Sequence, residues 1–475
     1  MEEKEKPMRI MILGGTGFIG TVLTRELLMR GHEVVLTSRQ PRPAQKKPSG
    51  AYAPAHTGDG SETDAYHILR EEKGEKGSPV FVPAFASPAF APAEKAEAMP
   101  FVYAAEQESE KASFWSTFGG GHEHHKKHLV RDLVAAASGQ ALPGSFWKTA
   151  EELGAITGQE NDAFHLSYAE GAVEPGRHGG YGAGWGQASR APSYEVWNGV
   201  DAKELEPLLG GIDGVVNLIG EYLGGRWNVE KKAALRNSRI RAGRAVAEAV
   251  ARRASAGEDV PSVVVQVSAV GYYGTWREFE CAPVCAEERP KGKGFLATLA
   301  GDWEASSAAV EEVELPPFCA SDKEPRGRVR RCVLRLAPVL GEGGFLKHVI
   351  PLYKAGFGGV PGSGRQPCAW VHVEDVARAM AFVLEHGETG GVYNVCASPD
   401  DTMRGLSEAL GWALHKPVWL PMPEVTLRLT MGEVADELIL TGQRVSSQRL
   451  LDAGFRFRYA TLDEAVLHVV SGKRD

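Results

Sequence analysis

The chain has 475 residues, of which 43% are hydrophobic and 24% are charged, and its formal net charge is -8. This length allows about two to three domains, and the acidic surplus gives no electrostatic support for a nucleic-acid partner. No apolar run approaches the roughly 20 residues of a membrane helix, and the charged start "MEEKEKPMRI" lacks the apolar segment of a signal peptide. We therefore expect a cytoplasmic protein without nucleic-acid or membrane partners, whose oligomeric state the sequence leaves open.

The first 40 residues show a β–α–β pattern. The apolar segment Arg9–Leu13 predicts a short strand, and "FIGTVLTRELLM" carries apolar residues at helical spacing. Gly31 ends this helix as a C′ residue would, and His32–Arg39 predicts a second strand. A glycine-rich turn, "GGTGFIG", joins the first strand to the helix.

This turn contains the motif G-x-x-G-x-x-G at Gly14, Gly17 and Gly20. The first glycine permits a tight turn, the second lets a diphosphate approach the backbone, and the third lets the helix pack closely on the strand. The helix N-terminus offers free N–H groups and the positive end of its dipole to the phosphates. Because the motif lies between a strand and a helix, it predicts a dinucleotide site.

The end of the second strand selects between the two nicotinamide dinucleotides. An acidic residue there would bond the ribose 2′-hydroxyl of NAD. The chain has Ser38 and Arg39 instead, and a guanidinium favours the 2′-phosphate of NADP. We predict NADP as the cofactor, with NAD less favoured. The other interpretation of Arg39 is a solvated surface arginine.

Residues 41–192 are rich in Ala, Pro and Gly and only weakly periodic. Such a composition rarely builds a packed core, so we predict a largely disordered insertion, with His124–Gly139 as a possible short helix. The tract "GHEHHKKH" has histidine spacings that zinc could use, but its lysines and its surroundings favour a solvated segment. We predict no metal site.

From residue 193 onward, strands and helices alternate. Apolar strands are predicted in "YEVW", "GVVNLIG", "SVVVQVSAV" and "RCVLRLAPVLG", and the longest helix runs from about Asn228 to Ser255. This alternation predicts an α/β fold with a Rossmann-type, doubly wound parallel sheet. The predicted domains are a Rossmann domain at 8–40 and 193–396, the insertion at 41–192, and a smaller C-terminal α+β cap at 397–470 to which 345–369 contribute.

Several segments resemble a known family. "ILGGTGFIG", "SAVGYYG", "LRLAPVLG" and "WVHVEDVA" resemble the extended short-chain dehydrogenase/reductase superfamily. "NLIGEYLGGRWNVEKKAALRNSRI" and "GEVADELILTGQRV" resemble its atypical group called "epimerase family protein", which has a characteristic C-terminal domain and includes a plastid-division factor. The resemblance covers about residues 8–40 and 193–470. It implies a nicotinamide dinucleotide and a small-molecule substrate that it does not name.

The resemblance also implies site residues. Ser268 matches the active-site serine and Tyr273 the tyrosine that closes the same strand, so they are the candidate catalytic, proton-transfer residues. The implied cofactor-binding positions lie in the glycine loop and after the second, fourth and sixth strands: Gly14, Thr16, Gly17, Phe18, Ile19, Gly20, Ser38, Arg39, Leu218, Ile219, Gly220, Ala337 and Pro338.

One departure from the family concerns the catalytic tyrosine. In active extended enzymes a lysine four residues later lowers the tyrosine pKa from about 10. This chain contains no Tyr-x-x-x-Lys, and Phe295 stands where such a tyrosine is expected. Two hypotheses stay open: an NADP-dependent oxidoreductase or epimerase-like enzyme, and a catalytically degenerate dinucleotide-binding regulatory or scaffold protein. We interpret His372 of "WVHVEDV" as a structural hydrogen-bonding residue.

Overall fold

The structure is a computed structural model that describes residues 6–39, 191–316 and 327–472. Residues 41–190 of the predicted insertion, which include its histidine tract, lie outside the described residues. The strands are β1 Arg9–Leu13, β2 Glu33–Ser38, β3 Ser193–Val196, β4 Gly214–Asn217, β5 Val263–Ala269, β6 Val284–Cys285, β7 Arg330–Leu336, β8 Val339–Leu340, β9 Gly359–Pro361, β10 Val371–His372, β11 Gly391–Val395, β12 Leu420–Met422 and β13 Arg444–Val445.

The α-helices of the described residues follow the same chain order. They are α1 Phe18–Met29, α2 Ala202–Leu205, α3 Val229–Ser255, α4 Phe295–Ser306, α5 Leu346–Lys354, α6 Val373–Glu385, α7 Met403–Ala413, α8 Glu424–Met431, α9 Glu433–Leu438, α10 Gln448–Asp452 and α11 Leu462–Ser471. No helix in the described ranges is long and apolar enough to cross a membrane.

Seven of the strands form one parallel sheet in the order β11-β7-β5-β4-β1-β2-β3. From β1 the chain moves outward through β2 to β3, and then crosses to β4 on the other side of β1. The strand order therefore reverses between β1 and β4, which is where doubly wound sheets form a ligand crevice at their carboxyl edge. The predicted Rossmann-type fold is confirmed.

The side chains of β1 show how the sheet is covered on both faces. Ile10 and Ile12 belong to a core cluster with residues of α1 and α6, whereas Met11 and Leu13 belong to a second cluster with residues of α3. Successive strand residues point to opposite faces, so a continuous apolar run is needed when helices cover both. This packing holds the carboxyl edge of β1 rigidly between two helical layers.

Three element boundaries show how local chemistry sets them. Asp201 caps α2, with its Oδ1 accepting from the backbone N–H of Lys203 at 2.8 Å. Asn228 caps α3 in the same way. β4, however, ends at Asn217 rather than at Gly220 as predicted, because the Asn217 side chain accepts from the N–H of Ile219 at 3.2 Å and turns the chain out of the sheet.

The C-terminal part forms a smaller α+β region. Helices α7 and α11 share a core cluster with Leu346 and Trp370, and β12 pairs in parallel with β9. Strand β13 pairs with β6, whose sequence position lies within the Rossmann part. The predicted α+β character is present, and the predicted domain boundaries stay predictions.

Candidate functional site

The glycine loop after β1 closes tightly at the carboxyl edge. Gly14 has φ +81°, a conformation that favours glycine, and a Cβ on it would lie 3.4 Å from the backbone nitrogen of Ile219. Gly17 donates its N–H to Gly14 O at 3.1 Å. A Cβ on Gly20 would lie 2.6 Å from the Gly15 Cα, so α1 can approach the loop only with glycine there. Gly14 and Gly20 thus have the steric roles that the sequence predicts, whereas the diphosphate-binding role of Gly17 stays a prediction.

The N-terminus of α1 fits a dinucleotide's phosphates. No side chain among the described residues caps this helix, and its first turn contains no acidic residue. Its first N–H groups therefore keep the positive partial charge that binds anions at a helix N-terminus. Phe18 places its ring against the turn Gly341–Gly344, and Ile19 packs on the core, so these two residues present the backbone rather than the side chain to a ligand.

The other predicted cofactor residues lie along the same edge. Arg39 is exposed and directly follows β2 at Ser38, while Gly220 is exposed beyond β4. Pro338 is exposed after β7, whereas Ala337 is buried and donates its N–H to Val395 O at 3.0 Å. The structure brings Leu218 and Ile219 against the glycine loop, because both approach Gly14. The binding role of these residues stays a prediction.

Ser268 and Tyr273, at the end of β5, belong to a closed polar network. Ser268 is 1% exposed and its hydroxyl donates to Glu304 Oε1 at 2.7 Å. Glu304 binds the Arg335 guanidinium through two 2.8 Å contacts. Arg335 Nη1 donates to the Tyr273 hydroxyl at 2.9 Å, and that hydroxyl donates to Asn394 Oδ1 at 2.8 Å. Each hydroxyl is therefore already engaged by its neighbours.

The electrostatics of this network oppose proton release from Tyr273. Burial raises the pKa of Tyr273 to about 12, although the neighbouring Arg335 charge acts in the opposite direction. Burial alone would lower the Arg335 pKa, but its bonds to Glu304 outweigh burial and raise it. Tyr273 is 2% exposed, whereas Tyr272 is half-buried. The Arg335 Cζ lies 3.5 Å from the centroid of the Tyr272 ring. The proton-transfer role of Ser268 and Tyr273 stays a prediction.

Apolar packing occupies the position expected for the catalytic tyrosine. Phe295 is the first residue of α4, and its ring lies 5.1 Å from that of Trp227. Lys232 lies above the Phe295 ring at 4.9 Å. The carboxylate of Glu437, from α9, accepts from the backbone N–H of Phe295 and Leu296, and burial raises its pKa. The N-terminus of α4 is thus capped by the side chain of Glu437, which belongs to the C-terminal part of the chain.

Arg239 is a charged residue of the site that sequence reasoning missed. It is 7% exposed, and a Cβ on Gly220 would lie 3.0 Å from its Cζ. Burial lowers its pKa to about 10, against the attraction of Glu221. Its position carried a signal, because it shares the buried face of α3 with Leu235 and Val246 at helical spacing.

His372 has the structural role that we expected. Its Nδ1 accepts from the N–H of Glu374 at 3.2 Å and so caps α6. Its Nε2 lies 3.1 Å from His468 Nδ1. Burial, together with the nearby His468, lowers the His372 pKa to about 4. The ring is therefore neutral near pH 7.

Comparison with protein families now adds to this geometry. The model of the NAD dependent epimerase/dehydratase family matches residues 10–74 and 196–396. The chain belongs to this family. A domain of unknown function, DUF1731, matches residues 422–469, as the resemblance of the C-terminal segment implied. Family membership and the open α1 N-terminus together support a nicotinamide dinucleotide as the cofactor.

Individual relatives agree with this assignment. Epimerase family protein YfhF of Bacillus subtilis is 31% identical over 263 residues, which cover 55% of this chain and 80% of that protein. The structure of human epimerase family protein SDR39U1 (isoform 2) with NADPH has a TM-score of 0.57 at 20% identity, covering 98% of this chain and 100% of that one. The Thermus thermophilus UDP-glucose 4-epimerase complex with NAD has a TM-score of 0.50 at 14% identity, covering 98% of both chains. These structural likenesses show the fold.

Proposed function

We propose that this family member binds NADP(H) in the crevice between β1 and β4 and acts on a small molecule as an oxidoreductase or epimerase-like enzyme. The observation that carries the proposal is the position of Arg39, which is exposed one residue beyond the end of β2. The neighbouring strand β1 leads into the glycine loop and the uncapped N-terminus of α1, where phosphates can bind. A guanidinium there is suited to a 2′-phosphate. The human relative's structure with NADPH supports the same choice.

In this proposal the chain's own residues hold and orient the cofactor. Gly14, Gly17 and the first turn of α1 would bind the diphosphate, and Arg39 the 2′-phosphate. The bound nicotinamide would supply hydride transfer. The network of Ser268 and Tyr273 would form the floor beside it.

The test is a titration of NADPH and NADH into the wild-type protein and Arg39→Ala. We expect Arg39→Ala to weaken NADPH binding at least about tenfold and to leave NADH binding unchanged. Arg252→Ala is the matched control, since Arg252 is a surface arginine paired with Glu248 in the last turn of α3. Equal weakening of both dinucleotides, or binding of neither, would overturn the proposal.

A second function is favoured by the closed network around Tyr273. In it the protein is a catalytically degenerate dinucleotide-binding regulator or scaffold. Following NADPH absorbance with a panel of carbonyl compounds separates the two. Turnover that is lost in Tyr273→Phe while NADPH affinity is kept supports the enzyme, whereas tight NADPH binding without turnover of any compound supports the regulator.

A further inference from the structure

The crevice contains a buried positive charge without an acidic partner. Four arginines of the described residues are buried, and no carboxylate of those ranges lies within 4.0 Å of the Arg239 guanidinium. Each of the other three pairs with at least one carboxylate: Arg253, Arg331 and Arg335. Burying a charge without a counter-charge costs free energy. A bound anion would lower that cost, so such an arrangement is typical of an anion-binding residue.

The donors around this charge are also unmatched. Arg239 Nη1 donates to Leu235 O at 3.0 Å, which uses one of the five guanidinium N–H groups. The guanidinium stacks on Trp303, 4.9 Å from the ring centroid. The indole N–H of Trp303 is buried and has no acceptor among the described residues. A carboxylate or phosphate, with several acceptor oxygens, complements this pair of residues.

Arg239 lies after a different strand from the residues predicted to bind the dinucleotide's phosphates. The glycine loop follows β1 and Arg39 follows β2, whereas Arg239 lies behind Gly220, after β4. Its stacking partner Trp303 belongs to α4, which packs beside α3 and follows β5 in the chain. The Arg239 charge therefore lies on the β4–β5 side of the crevice between β1 and β4, whereas Arg39 lies on the β1–β2 side.

We infer that Arg239 is an anion-binding residue for the substrate, so that the small molecule carries a carboxylate or a phosphate that the guanidinium binds beside Gly220. This inference rests on the proposed dinucleotide-dependent function. Glu221 attracts the Arg239 charge without contacting it, and its carboxylate forms an ion pair with Lys231 at 2.7 Å instead. The exposed Gly220 leaves the approach to the guanidinium without a side chain.

The test uses inorganic phosphate and oxalate as separate probes, titrated calorimetrically into the full chain saturated with NADPH. We expect saturable binding of at least one probe, weakened about tenfold or more in Arg239→Gln and less in Arg239→Lys. NADPH affinity should change by less than about threefold in both variants. Arg236→Gln is the matched control, since Arg236 lies on the same helix but is exposed and paired with Asp302.

Three results would overturn the inference. They are no probe binding to the wild-type protein, equal probe binding to Arg239→Gln, and NADPH affinity that falls as far as probe affinity, which would assign the charge to the cofactor. If Arg239→Gln does not fold, Trp303→Phe decides, because it removes the unpartnered indole N–H and should weaken probe binding while NADPH affinity is kept. If NADPH itself does not bind, the proposed function fails, and phosphate titrated into the dinucleotide-free protein still tests Arg239.

Discussion

The chain leaving β1 forms an open glycine loop at the carboxyl edge of the sheet, whereas the chain leaving β5 folds into a network of its own side chains. At β1, glycines and an uncapped helix leave N–H groups ready for a ligand. At β5, Ser268 and Tyr273 are bonded to Glu304, Arg335 and Asn394. One parallel sheet thus provides a place for a ligand at one strand and uses the equivalent place for its own stability at another.

This difference predicts that substitutions in the two regions will affect different properties of the protein. Changes in the β5 network should lower the free energy of unfolding and leave dinucleotide affinity nearly unchanged, because the network's groups bond to one another. Changes in the β1 loop should weaken dinucleotide binding. A substitution in the network that weakened only dinucleotide binding would contradict the comparison.

The largest effect is expected for Arg335→Met. It leaves the Glu304 carboxylate buried without its partner, and breaking such a pair from one side destabilises by about 3–5 kcal/mol. Urea unfolding followed by circular dichroism measures this. Arg404→Met is the control, since Arg404 is exposed and its contact with Glu408 is 3.9 Å. Equal stability of the two variants would show that the network is unimportant for folding.

We expect the free energy of unfolding to depend on pH through His372, the buried residue that caps α6. Its folded pKa of about 4 lies below its ordinary value of 6.5, so the unfolded chain takes up the proton first as the pH falls. Stability is therefore complete above pH 6.5 and declines between pH 6.5 and pH 4, by at most about 3 kcal/mol from this group.

The matched variant for this prediction is His372→Asn. Asparagine can cap a helix but does not titrate, so the variant should show a smaller loss of stability across the same pH range. Urea unfolding at several pH values measures the difference. A pH profile identical to that of the wild-type protein would assign the acid sensitivity to other groups.

A smaller loss of stability is expected for Gly20→Ala, together with loss of dinucleotide binding. The added Cβ would meet Gly15 backbone atoms at 2.6–2.7 Å, which must move the helix or the loop. We expect a net destabilisation of about 2 kcal/mol, since overpacking outweighs the better helix propensity of alanine. Gly387→Ala is the control because a Cβ there meets no atom within 4 Å. NADPH binding retained at wild-type strength would contradict this account of the loop.

The smallest effect is expected for Tyr273→Phe. Removing the hydroxyl leaves Arg335 Nη1 and Asn394 Oδ1 each without one partner, at a cost of about 1–2 kcal/mol. NADPH affinity should stay within about twofold of the wild-type value. Thermal unfolding with and without NADPH measures both quantities. A variant as stable as the wild-type protein would mean that water replaces the hydroxyl.

The sequence by itself determined the Rossmann core and the geometry of the glycine loop. Both depend on local rules: apolar runs form buried strands, Gly14 is favoured by its φ of +81°, and Gly20 is required by its contact with Gly15 in the same β–α unit. Local capping chemistry likewise sets the start of α2, whose N-cap Asp201 accepts from the Lys203 N–H. The end of β4 was misplaced because an Asn217 side-chain bond, rather than hydrophobicity, ends that strand.

Only the tertiary structure decided the surroundings of the charged and polar residues. Arg239 lies in the middle of a helix, and its burial without a carboxylate depends on Gly220 and Trp303, which are distant in the sequence. Ser268 and Tyr273 have the residue types of a proton-transfer pair, yet their hydrogen bonds come from α4, β7 and β11. A residue's type is local, but its exposure and its partners are set by which elements meet in the folded chain.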